Sequence, residues 1–126
     1  MDSLIYLIQA APVAMFWFLI TLLTSIYALF VNESILQQCI FYPYRIVRNK
    51  EYYRFVSGAL IHGNFMHLFF NLFTFYSFGL MLEMNTLGHI GFTLVYIGSM
   101  LVADIPSFLK HKNNPQFMSL GASGAI

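Results

Sequence analysis

Charge is what this chain has least of: Asp, Glu, Lys and Arg make up 9% of its 126 residues, against about 25% in soluble domains. With 59% hydrophobic residues and a mean hydropathy of +0.70, it reads as an integral membrane protein. A net charge of +1, with no long basic run, excludes a nucleic-acid partner and a membrane attachment resting on charge alone. Cys39 is the only cysteine, which excludes an intrachain disulfide and a cysteine-built zinc site. Basic residues are also missing from Met1-Asp2-Ser3, and the apolar segment that follows is too long for a signal-peptide core. It is therefore read as a retained span rather than a cleaved leader. No internal repeat or low-complexity segment is present.

What is there reads in order as follows. Residues 1–10 are a short lead-in suited to the membrane interface. Pro12 suits a first helical turn, and from it to Val31 only Trp17, Thr21, Thr24, Ser25 and Tyr27 interrupt an apolar run, the first expected span. Residues 32–63 mix Ile35, Leu36, Ile40, Phe41, Ile46 and Val47 with Gln37, Gln38, Arg45, Arg48, Asn49, Lys50 and Glu51. They are expected to form amphipathic pieces on the membrane surface, broken at Pro43. Asn64 is a plausible N-cap for a second span over 64–83, ended by Glu83, with Asn85-Thr86-Leu87-Gly88 as a tight turn. A third span covers 89–109, residues 113–120 form a loop, and Gly121-Ala122-Ser123-Gly124-Ala125-Ile126 opens a fourth whose remainder is expected to lie beyond this chain. The expected fold is all-α, a polytopic transmembrane bundle with three complete spans and the start of another.

Polar residues inside these runs are the candidate site. His67 and Asn71 lie four apart, so they share one helical face at membrane depth, where an unpartnered polar group costs several kcal/mol. Such residues are by default a functional hypothesis. If the spans alternate in direction, the starts of the second and fourth lie on one side, and Ser123 can meet His67 and Asn71, with His62 nearby. Gly121 and Gly124 allow close backbone approach around Ser123, and a helix N-terminus offers free N–H groups where an oxyanion develops.

The order Tyr53-Arg54, His62, His67, Asn71, Glu83 and Gly121-Ala122-Ser123-Gly124 resembles the rhomboid family of intramembrane serine proteases. The resemblance covers roughly residues 40–126, and the whole set is far more specific than any one of its motifs. It implies Ser123 as the nucleophile, with its backbone N–H, Asn71 and His67 forming the oxyanion hole. It also implies that Tyr53 and Arg54 are structural parts of the first loop, His62 a packing or hydrogen-bonding residue near the site, and Glu83 a helix-end contact. The substrates it implies are transmembrane segments of other proteins within the lipid bilayer, with no metal or cofactor. The family's general base is a histidine on a sixth span, so none of the four histidines here takes that role.

Taken singly, each residue has a plainer reading: His67 as a packing residue, Asn71 as glue between helices, Gly-Ala-Ser-Gly as close helix packing, Tyr53-Arg54 as an interfacial anchor and Glu83 as a solvated cap. A metal or haem site is disfavoured because His62 and His67, i and i+5, would project about 140° apart on a helix and His67 and His89 lie at opposite ends of the second span, which leaves only His67 with His111 to share a haem. The alternative of another class is a catalytically inactive relative that binds transmembrane segments. All six Lys and Arg fall in the two loops that the family places outside the cytoplasm, against the positive-inside rule. The family orientation, N-terminus inside, is retained, and the expected location is a bacterial cytoplasmic membrane.

Overall fold

A computed structural model describes residues 2–119; the expected fourth segment, with Gly121, Ser123 and Gly124, lies outside the described residues. Among the described residues the regular structure is helical, joined by short turns and links, with one isolated bridge between Phe41 and Ser119. Helix α1 (Asp2–Ala10) leads directly into α2 (Pro12–Phe30). The connector folds as α3 (Ser34–Cys39), α4 (Pro43–Asn49) and α5 (Arg54–Leu60). Helix α6 (Phe65–Thr74) runs on through a π-helical stretch (Phe75–Gly79), α7 (Leu80–Leu82) and a second π-helical stretch (Glu83–Leu87) into α8 (Gly88–His111).

Two stretches are long and apolar enough to cross a membrane, Pro12–Phe30 and Phe65–His111, with mean hydropathies of 2.1 and 1.6. Only 28% and 17% of their most apolar windows are buried, whereas the core helix of a soluble protein would be mostly covered. Leu23, Phe30, Phe73, Ile90, Leu94 and Val102 all face outward. So many large apolar side chains on the outside call for lipid as the surrounding solvent.

The second stretch folds back on itself. The ring of Phe75 meets those of Phe92 at 6.1 Å and Tyr96 at 5.4 Å, whereas a straight helix would hold Phe75 and Tyr96 about 30 Å apart. The reversal is made at Gly88, whose φ of 73° is a conformation that a side chain would strain. The turn is tighter than Asn85-Thr86-Leu87-Gly88 suggests, because 85–87 remain in a wide helical turn and Gly88 alone breaks it. Pro43 likewise opens α4 as its first residue instead of breaking a helix, since its missing N–H costs nothing there. Helix α2 starts at Pro12 and ends at Phe30, one residue before the expected end of that segment, and Asn64 caps α6.

The core joins Ala11, Ala14 and Met15 of the first helices with Ala59, Phe75, Leu80, Phe92, Tyr96 and Met100. Small residues on α2 let the aromatic ladder of the other helices approach closely. Trp17 stands 5.4 Å from Tyr96, and Phe92 stacks on Tyr96 at 5.7 Å. In lipid this packing, and not exclusion of water, draws the helices together.

At the far end of the bundle Glu83 is buried, and its carboxylate accepts the N–H groups of Val13 at 3.1 Å and Ala14 at 2.6 Å. These are the free donors at the start of α2. Pro12 has none, Ala11 N–H reaches Leu7 O, and Met15 N–H already bonds Ala11 O within the helix. One anion from a distant helix thus completes the N-terminus of α2 and faces its positive dipole end. His89 holds the same carboxylate from the exposed side at 2.8 Å. Glu83→Ala should lower unfolding stability by about 2–4 kcal/mol, since one buried and one part-buried N–H group lose their acceptor. Glu83→Gln, which keeps one oxygen, should lose roughly half as much. Denaturant titration of the two variants in detergent measures both, and equal stability of Glu83→Ala and the parent protein would refute the cap.

Candidate active site

The site is built at the opposite end, where α6 begins. Asn64 adopts an extended backbone and its side-chain oxygen accepts the N–H of His67 at 2.8 Å, so the helix starts at Phe65 and His67 lies in its first turn. Asn71 follows one turn later on the same face. His62 is not on this helix. It sits in the short link between α5 and α6, so the helical-wheel angle between His62 and His67 does not apply, and their rings meet edge to face at 5.0 Å.

His62 is fully buried, and both of its ring nitrogens are used. Nε2 lies 2.7 Å from the Asn71 amide nitrogen and Nδ1 lies 3.1 Å from Ser25 Oγ. Ser25, also fully buried, donates its hydroxyl to the Leu60 carbonyl at 2.7 Å. With that proton committed, Ser25 Oγ accepts from His62 Nδ1–H, and Nε2 accepts from Asn71. The ring is therefore neutral. Burial first, and the neighbouring His67 second, push the His62 pKa down from 6.5 to about 4, with the Leu60 carbonyl opposing weakly. Having no open lone pair, His62 offers nothing to a metal or to a substrate proton.

Behind this cluster the connector is braced by Arg54, which is buried although charged. Its Nε donates to Glu51 at 2.7 Å, and its Nη1 donates to the carbonyls of Gln37 at 3.1 Å and Ile40 at 2.7 Å. Arg45 adds a second contact to Glu51 at 3.3 Å. A buried guanidinium needs such a full set of acceptors, and here they come from α3, its end and the turn before α5. Tyr53 donates its hydroxyl to Gln38 O, and Ser57 donates to Cys39 O. The brace carries Phe41 against Gly58, where a Cβ would lie 2.8 Å from that of Phe41, so only glycine permits the approach.

Phe41 in turn exchanges both backbone hydrogen bonds with Ser119, at 3.0 Å each. The chain is thereby tied to the connector immediately before the Gly121-Ala122-Ser123-Gly124 segment. The structure thus gathers His62, His67 and Asn71, sets Tyr53 and Arg54 in the supporting connector, and places Glu83 about 18 Å further along from Asn71. Sequence reading missed Ser25, Glu51 and His89. Ser25 carried a signal as a hydroxyl inside an apolar run. Glu51 read only as one polar residue of the surface connector, and His89 only as the start of the third span.

Residues 49–126 match the family model of the rhomboid domain. Over 80 residues, 64% of this chain, the sequence is 36% identical to a Bacillus subtilis (strain 168) protein named "Putative rhomboid protease YdcA". It is 37% identical over 75 residues, 60% of this chain, to the Arabidopsis thaliana "Rhomboid-like protein 11, chloroplastic". The matched regions span 39% and 26% of those relatives. The site is that of a polytopic, helical membrane protein with polar groups held at the mouth of a span, and the chain belongs to the rhomboid family.

The low pKa of His62 has a consequence for stability. Between pH 6.5 and about 4 the unfolded chain takes a proton that the folded ring refuses, so the fold loses stability as pH falls through that window. Below it the loss is complete. Thermal unfolding across that range should show the decline, and a His62→Gln protein, which has no ring to titrate, should show a shallower one. Parallel pH profiles for the two proteins would contradict the assignment of a neutral, buried ring.

Proposed function

We propose that this protein is an intramembrane serine endopeptidase of the rhomboid type that hydrolyses a peptide bond in or near a transmembrane segment of another membrane protein. The observation that carries the reading is the placement of Asn71 and His67 on the first turns of α6, with the Asn71 amide nitrogen held as a donor by His62. In this mechanism Ser123 attacks the scissile carbonyl. The Asn71 amide, His67 and the Ser123 backbone N–H stabilise the oxyanion, and water hydrolyses the acyl-enzyme. The residue that takes the Ser123 proton is none of the four histidines of this chain, and His62, with both nitrogens occupied, fits that exclusion.

The bridge at Ser119 supports the meeting of Ser123 with this cluster. Four residues reach at most about 14 Å, and Ser119 is tied to the connector, so the proposed meeting is within the reach of the chain. Gly121 and Gly124 permit the close approach such a turn needs. The domain is read as residues 1–126, with spans at about 12–31, 64–83 and 89–109 and a further one starting at 121. The fold-back at Gly88 supports reading Phe65–His111 as two antiparallel passes.

Ser123→Ala in the full-length protein should abolish cleavage of a transmembrane substrate. Asn71→Ala should lower kcat by about 10², beyond the roughly 1–3 kcal/mol of unfolding stability lost when the buried His62 Nε2 loses its donor. Full activity of Ser123→Ala would refute the protease. A wild-type protein that captures transmembrane segments without cutting them would instead establish the inactive, binding relative. The span count has its own test. Reporters fused after Lys50 and after Leu87 should report opposite sides of the membrane, and agreement between them would remove one pass.

A further inference from the structure

Three side chains from separate parts of the chain form a line of hydrogen bonds that has a direction. It begins at the Leu60 carbonyl, which ends α5 and can only accept. That carbonyl takes the single proton of Ser25, so Ser25 Oγ faces His62 as an acceptor and the ring proton must sit on Nδ1. Nε2 is then a bare lone pair, and of the two ends of the Asn71 side chain only the amide nitrogen can meet it, as it does at 2.7 Å. An Asn amide has nearly the same shape in its two flipped orientations, so hydrogen bonding alone selects between them. With the opposite tautomer of His62, Asn71 would turn its oxygen to the ring and its donor elsewhere.

We infer that Ser25 of the first span is a positioning residue: through the Nδ1–H tautomer of His62 it sets the orientation of the Asn71 amide, leaving a second N–H on that nitrogen for the oxyanion. The inference rests on the proposed role of Asn71. It accounts for a fully buried hydroxyl and imidazole inside the bundle, where apolar residues of like size would pack as well. The trio imitates a Ser–His–Asn nucleophile set without being one. Ser25 is buried, its proton points to a carbonyl, and no substrate atom could approach its oxygen.

The direct test is nitrogen NMR on the full-length protein labelled with 15N-histidine. His62 should be the Nδ1–H tautomer in the wild type, and an Nε2–H ring would overturn the inference whatever the activity. Kinetics supply the second readout. Ser25→Ala should lower kcat roughly tenfold at unchanged KM, and Ser25→Thr, which keeps the hydroxyl, should restore it. In an Asn71→Ala background Ser25→Ala should cost nothing further, because the amide it orients is gone. An unaffected kcat in Ser25→Ala, or a loss that multiplies with that of Asn71→Ala, would make Ser25 a packing residue only. Those results would leave the protease standing, whereas full turnover by Ser123→Ala removes the protease itself. Should Ser25→Ala fail to fold, the wild-type tautomer still decides.

Discussion

Hydrocarbon offers no hydrogen bonds, and every polar atom that this chain carries out of water must find its partner within the protein. That obligation explains the placement of its few buried polar residues better than any preference for local structure. Glu83 supplies the acceptor missing at the start of α2, Arg54 gathers the carbonyls at the end of α3, and His62 joins Ser25 to Asn71. Each of these links joins segments distant in sequence or closes a loop of the connector. The polar atoms that lipid cannot satisfy are therefore the ones that fix how the helices stand against each other.

Apolar packing supplies the rest, in a form particular to lipid. The outward faces of α2, α6 and α8 are as rich in Phe, Leu and Ile as the inward ones, so hydrophobicity alone does not say which face packs. Size and shape do. Ala11 and Ala14 open a space into which the Phe75, Phe92 and Tyr96 rings fit, and the π-helical stretch from Phe75 to Gly79 keeps Phe75, Gly79, Leu80 and Glu83 on one buried side. Wide turns of this kind cost helix geometry and are kept where a register must change. Here the register serves both the aromatic ladder and the carboxylate that caps α2.

The two ends of the bundle divide the work. The Glu83 end is a structural closure, in which a carboxylate replaces the water that would otherwise solvate a helix terminus. The His62 end concentrates donors beside a span's first turn, with a braced connector behind it and Ser119 tied alongside. Membership of the rhomboid family gives that second end its chemical meaning. On the proposed protease reading, an amide held by a neutral imidazole is oriented before a substrate arrives, the condition under which a donor to a developing anion is most effective.

Composition and spacing alone determined the membrane class, the α2 and α6 starts, the asparagine cap and the family motifs, because these depend on local runs and on short fixed separations. Pro12, Asn64 and the His67–Asn71 pair act within a turn of where they stand, so their meaning is written beside them. The partners of Glu83 and His62, and the carbonyls that hold Arg54, were not legible in this way. Ser25 is 37 residues before His62 and Ala14 is 69 before Glu83, and nothing near either member of a pair names the other. Which polar group answers which is decided only when the helices pack, since the free energy of leaving one unanswered in lipid belongs to the assembled bundle and to no segment of it.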